Sequence, residues 1–212
     1  CVGIKNKHID EFKNSLPFTL TVAQSRVIDE IVDDLNNPYK MDRLLQGDVG
    51  SGKTAVAAAT LYATIKAGFQ TAIMAPTEIL ANQHFETFFE FFKDLNISVA
   101  LLTSSTPKKE RKTILSLLEV GEIELLIGTH SLIQEDVKFN NLKYVITDEQ
   151  HRFGVKQRQL LSNKGEAVNS LMMTATPIPR SLAITLITDI KVSTIDALQA
   201  GRKKVQTYKA KN

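Results

Sequence analysis

From residue 21 onward, short apolar runs alternate with longer stretches in which apolar side chains recur every three or four positions. Val27, Ile28, Ile31, Val32 and Leu35 keep helical spacing, with Thr21 ahead of them as a start signal and Asn36, Asn37 and Pro38 behind them as a stop. Strands are predicted at 43–46, 71–75, 98–103, 123–127, 144–147 and 170–173, and further helices at 52–67, 78–94, 108–119 and 181–187. Residues 5–14 read as a polar opening. Such alternation predicts an α/β domain of parallel strands joined by crossover helices, with ligands gathered at the carboxyl ends of the strands. Phe85, Phe88, Phe89 and Phe92 fall at i, i+3, i+4 and i+7, which predicts one apolar helix face turned to the core rather than a surface for stacking bases.

Where the first strand meets the Ala-rich helix, Gly47, Asp48, Val49, Gly50, Ser51, Gly52, Lys53 and Thr54 match the phosphate-loop pattern Gly-x-x-x-x-Gly-Lys-Thr. Glycines at this spacing let the backbone turn tightly and aim N–H groups at phosphate oxygens, at the positive end of the following helix. Lys53 would reach the β- and γ-phosphates, and the Thr54 hydroxyl would hold Mg²⁺. The pattern therefore predicts binding of a nucleoside triphosphate. It does not name a reaction, because kinases, transporters and motors all use such loops.

A second element narrows the chemistry. The apolar run Val145, Ile146, Thr147 ends in adjacent carboxylates, Asp148 and Glu149. Asp148 would hold the metal and Glu149 would polarise the attacking water as general base, which is the division of labour a Mg²⁺-dependent hydrolase needs.

Bulk properties exclude little but do set limits. The 212 residues are 43% hydrophobic and 23% charged, as in an ordinary soluble domain. One cysteine, Cys1, cannot form an internal disulfide and fits a reducing compartment, though it fits an excised fragment equally well. The Ala- and Thr-rich run 55–65 is too short to span a bilayer, and no leader is visible, so no membrane association is expected. The 26 Lys and Arg and 23 Asp and Glu divide unevenly: residues 191–212 hold 6 against 1, leaving 20 against 22 in the rest. With a near-neutral body, any claim of nucleic-acid binding must rest on particular residues.

Asp148, Glu149, Gln150 and His151 resemble the Asp-Glu-x-His box of superfamily 2 helicases, and the continuation through Arg152, Phe153, Gly154 and Val155 is similar to the bacterial RecG family. Segments 44–54, 74–81, 127–134 and 173–180 resemble motifs of that family in order and spacing, so the likeness covers nearly the whole chain. The transcription-repair coupling translocases share the phosphate loop and the His-Arg-Phe-Gly-Val run, but more usually carry Glu where Gln150 stands.

The resemblance implies a RecA-like P-loop NTPase fold, a central, mainly parallel sheet flanked by helices, using ATP and Mg²⁺. It implies a trailing segment at 1–15, a first motor domain at 16–196, and a basic linker at 197–212 leading to an absent second RecA-like lobe. Segment 16–24 is similar to an adenine-recognition motif, with Gln24 offering a donor and an acceptor to the base and Phe18 packing nearby; an exposed first-turn glutamine is the alternative. His151, Thr174 and Thr176 would couple nucleotide state to the DNA track. Pro76, Thr77, Thr129 and His130 would grip a sugar-phosphate backbone, although as loop residues they would equally cap helices. Segment 102–106 lacks the Gly that similar proteins often carry there. His84, His130 and His151 show no paired metal-ligand spacing. The implied partners are branched double-stranded DNA and the second lobe and wedge domain of a full-length, monomeric, cytoplasmic and nucleoid-associated protein.

Two rivals remain: a small-molecule kinase, which needs an acceptor pocket and a lid but not the Asp-Glu-Gln-His box, and a non-enzymatic nucleotide-binding module. The motor reading assigns no arginine finger to Arg152, Arg158 or Arg180. A finger is worth ~10³–10⁵ in rate, so this chain alone should bind nucleotide weakly and hydrolyse it slowly. Robust DNA-stimulated turnover by the isolated chain, in a phosphate-release assay, would refute that expectation.

Overall fold

The computed structural model describes residues 1–48, 52–148, 155–175 and 191–195. Within them, near-continuous apolar runs form a seven-stranded sheet whose central strands are buried on both faces, the composition a parallel sheet between two helical layers demands. The strands are β1 (Asp42–Gly47), β2 (Gln70–Met74), β3 (Val99–Leu102), β4 (Leu125–Gly128), β5 (Leu142–Asp148), β6 (Asn169–Thr174) and β7 (Lys191–Ile195). Their order is β3-β4-β2-β5-β6-β1-β7, and every pairing is parallel. All carboxyl ends therefore lie on one edge.

Helices α1 (Asn6–Ser15), α2 (Val22–Leu35), α3 (Lys53–Lys66) and α4 (Glu78–Phe92) share one core with Leu45, Ile73, Ile127, Tyr144, Ile146 and Leu171. The opposite face, with Ala72, Met74, Leu126 and Val145, is covered by α5 (Lys108–Glu119), the 3₁₀ turn His130–Ile133 and α6 (Val155–Ser162). Alternate residues of a strand thus serve different cores, as its two-residue period requires.

Helix α3 is the axis of the first core. Every residue from Ala55 to Ile65 is buried, and α1, α2 and the sheet all pack against it. Five alanines allow that close approach, and the Thr60 and Thr64 hydroxyls bond carbonyls of the preceding turn, so no polar group is orphaned. Among the described residues no helix is long and apolar enough to cross a membrane.

The structure departs from the sequence pattern in several places. The polar opening is helix α1, which buries only Ile9, His8 and Phe12; Phe12 is fully enclosed against Tyr62, Phe91 and Phe92 at 5.9–6.1 Å between ring centroids. Helix α6 and strand β7 were not anticipated, while the helix expected at 181–187 lies outside the described residues. On α4, Phe88 and Phe92 are fully buried, but Phe89 is 49% exposed and stacks on Phe85. The buried stripe is instead turned toward Phe91, because α1 supplies Phe12 on that side.

Strand β7 is pinned to α2 by charge. Arg43 on β1 is buried, bonds Asp34 of α2 through Nε (3.0 Å) and Nη2 (2.8 Å), and donates through Nη1 to Ser193 of β7 (2.5 Å). Lys191 reaches Asp34 at 3.2 Å, and Ser193 donates to Glu30 at 2.7 Å. Removing one partner of a buried pair leaves the other charge uncompensated. Arg43→Met is expected to destabilise the domain by ~3 kcal/mol in urea denaturation, with Asp34→Asn in the same background recovering part of the loss.

Candidate nucleotide site

Gly52 initiates α3 as its N-cap with φ +90°, a left-handed conformation that a side chain resists. A Cβ there would stand 1.9 Å from Nε2 of Gln24. Lys53 and Thr54 follow as the first residues of α3, both half-buried, so the ammonium and hydroxyl stand at the positive end of the helix. Lys53 Nζ donates to the Gly47 carbonyl at 2.6 Å, which uses one of its three protons.

Asp148 ends β5, two strand spacings from β1, or roughly 10 Å. Thr174 ends β6, the strand between them, opposite Gln46 of β1. Burial lowers the Lys53 ammonium from its ordinary value, and the carboxylates of Asp148 and then Asp48 oppose that shift. The lysine and the acid, 95 positions apart in the chain, thus share one electrostatic site on one edge of the sheet. Thr174 is buried, and Asp148 accepts a bond from, or donates to, His84 Nε2 at 2.7 Å.

Thr54 and Asp148 offer hydroxyl and carboxylate oxygens, hard donors suited to Mg²⁺. No group of three or more His, Cys, Asp or Glu that would hold a metal by itself exists among the described residues. Mg²⁺ is commonly held by one or two side chains together with phosphate oxygens and water.

Gln24 is buried rather than an exposed first-turn residue. Its Oε1 accepts from the Thr21 N–H (2.8 Å), its own N–H donates to Thr21 Oγ1 (3.1 Å), and its Nε2 donates to the Gly52 carbonyl (3.2 Å). The first two bonds form a reciprocal cap on α2, and the third ties that cap to the phosphate loop. Phe18 is 47% exposed and lines a cleft of about 550 Å³ with Leu16, Pro17, Leu20 and Ser25.

Pro76 and Thr77 follow β2, and Thr129 and His130 follow β4, all on the same edge as Lys53 and Asp148. Thr77 is exposed and also caps α4, accepting from the Leu80 N–H at 3.2 Å. Thr129 is buried and bonds Ser131, so its hydroxyl is committed to the 3₁₀ turn, while His130 is exposed. Segment 103–106 is organised by Glu78, whose carboxylate accepts from the Ser104 and Ser105 hydroxyls (2.6 and 2.8–2.9 Å); these bonds hold it below the usual carboxylate range. Val49, Gly50, Ser51, Glu149, His151 and Thr176 lie outside the described residues. In the sequence His84 is a lone histidine on a helix with no spacing signal; only the fold brings it to Asp148.

Gly52→Ala is expected to lower stability by about 1–2 kcal/mol, the cost of a side chain in the left-handed region, and to weaken nucleotide binding by displacing Gln24. Thermal denaturation with a fluorescent-nucleotide titration checks both effects, and unchanged values would mean that the turn does not need glycine.

The family model for DEAD/DEAH box helicases matches residues 21–184. The chain is 58% identical over 207 residues to ATP-dependent DNA helicase RecG of Bacillus subtilis (strain 168), covering 98% of this chain and 30% of that protein. It is 56% identical over 204 residues to RecG of Staphylococcus aureus (strain NCTC 8325 / PS 47), covering 96% and 30%. It thus spans about a third of the length of these curated relatives. The solved structure of RecG bound to a three-way DNA junction is similar with 51% identity and a TM-score of 0.81, covering 91% of this chain and 26% of that one. A hypothetical ATP-dependent RNA helicase from Sulfolobus tokodaii, 17% identical with a TM-score of 0.63 over 90% of this chain and 57% of that one, shares the fold alone. With its phosphate-loop lysine and strand-end aspartate on one sheet edge, and a family match spanning most of its length, the chain belongs to the DEAD/DEAH box helicases.

Proposed function

We propose that this chain is the ATP-binding first motor lobe of a branched-DNA helicase of the RecG type, working with a second RecA-like lobe and a wedge domain. The observation that carries this reading is the likeness, over nine-tenths of the chain, to RecG in its complex with a three-way DNA junction. It favours RecG over the transcription-repair coupling translocase, and the DEAD/DEAH family match weighs against a small-molecule kinase or a bare binding module.

In this reading the 52–54 turn and the positive end of α3 receive the triphosphate, and Lys53 swings from the Gly47 carbonyl to the β- and γ-phosphates. Thr54 and Asp148 hold Mg²⁺, which neutralises phosphate charge when bound. Glu149 takes a proton from the attacking water. Gln24 and Phe18 meet the adenine, so base recognition and loop position share one buried side chain. His151, Thr174 and Thr176 relay the state of the γ-phosphate toward the DNA-facing loops; Thr174 ends the strand between the lysine and the acid. Pro76, Thr77 and His130 line the nucleic-acid side of the same edge, gripping phosphates without reading bases, as travel along any sequence requires, while Thr129, buried and bonded to Ser131, serves only to shape the turn that presents His130. Closure of the second lobe on ATP, and its release after hydrolysis, would draw duplex past the wedge in a cytoplasmic, monomeric protein.

In the full-length protein, Glu149→Gln is expected to cut ATP turnover by ~10²–10⁴ while sparing ATP binding. The rate of the unaltered protein should be higher with forked DNA than with linear duplex or single strands. Equal rates on all three would remove the branch-specific assignment and leave the ATPase.

A further inference from the structure

His84 stands seven residues into α4 from Thr77, and its Nε2 lies 2.7 Å from Oδ2 of Asp148. The contact crosses the sheet edge. Helix α4 packs over β3 and β4, whereas Asp148 ends β5, with β2 in between. Both side chains are nearly enclosed, 16% and 15% exposed, and the imidazole also packs against Phe88, with ring centroids 6.1 Å apart. Phe88 belongs to the main core, so the ring is anchored to the body of the domain.

We infer that His84 is a positioning residue: by bonding one oxygen of Asp148 it fixes the carboxylate's rotation and ties it to the helix that begins at the DNA-facing Pro76 and Thr77. The inference rests on the reading of Asp148 as the Mg²⁺-holding acid. A carboxylate anchored through Oδ2 presents Oδ1 in one direction, and partners of this kind typically set metal affinity or activity by 10–100-fold. Contacts of the first turn of α4 with a phosphate backbone would bear on His84 and, through it, on the Asp148 carboxylate. The route is contiguous and short, from Thr77 along two turns of helix to one hydrogen bond.

The test uses the full-length protein with His84→Ala, His84→Gln, His84→Met and, as a control, Asp148→Asn. Binding of an N-methylanthraniloyl ATP analogue is titrated with and without Mg²⁺ beside thermal melts, and ATPase stimulation by forked DNA is measured. His84→Ala should raise the Mg²⁺ concentration for half-maximal nucleotide binding by ~10-fold or more, leave Mg²⁺-free binding unchanged, and reduce DNA stimulation. His84→Gln, which keeps an N–H in place of Nε2, should restore part of both, and His84→Met should not. Should His84→Ala fail to fold, the Gln and Met pair decides. A fall in melting temperature with unchanged Mg²⁺ dependence, or equal behaviour of Gln and Met, overturns the inference. If Asp148→Asn leaves Mg²⁺ dependence intact, the metal-site reading falls first; if only Asp148→Asn alters it, His84 alone is refuted.

Discussion

Helix α3 has no face left for water, and that constraint positions everything else. Because α1, α2 and the sheet all close on Ala55 through Ile65, the helix cannot slide or rotate without opening a void, and close-packed interiors penalise even a methylene of empty space. Its first turn, with Lys53 and Thr54, is therefore held at a set height above the carboxyl edge of β1. The downstream half of the phosphate-loop segment, from Gly52 onward, is thereby tied to the core. Gly52, left-handed and pressed by Gln24, is where the chain changes from loop to that fixed axis.

Parallel pairing supplies the second half of the site. With all strands running the same way, Gly47, Asp148 and Thr174 emerge on one edge, and the registers β1 to β6 and β5 to β6 keep them within two residues of one level. Two opposed effects on Lys53 follow: burial disfavours its charge and prevails, while the carboxylates of Asp148 and Asp48 oppose it in part. A cation held that way has strong reason to meet a polyanion. The same economy recurs at the far side of β1, where Arg43 joins α2 to β7 through Asp34 and Ser193 and so steadies the helix that carries Gln24.

The proposed nucleic-acid and nucleotide sides of the edge are linked through α4. Its start is capped by Thr77, its first-turn Glu78 organises segment 103–106, its second turn sends His84 to Asp148, and its last turns sink Phe88 and Phe92 into the core. One rigid rod therefore touches the proposed track, the proposed metal site and the packing centre. Phe89, which shares the helical spacing of the buried rings, turns outward and stacks on the half-buried Phe85 instead, since spacing defines a face and only the neighbours decide how that face is turned.

What the amino-acid order determined by itself was local. The phosphate loop, the strand ending in two acids, the capped start of α2 and the alternation of short and long apolar runs all follow from bonding between near neighbours, and each was readable in its own window. Helix α1 was not, because two deeply buried apolar side chains in ten residues leave a pattern that is mostly polar, and its stability comes from Phe12 meeting Tyr62 and Phe91 on other helices. Strand β7 was hidden for a similar reason: three of its five residues are exposed, and Arg43 and the β1 ladder hold it. The burial of Gln24, the turning of Phe89 outward and the bond from His84 to Asp148 were decided only by tertiary structure. Each depends on residues dozens of positions away, and a sequence window contains neither the distance nor the direction that makes them partners.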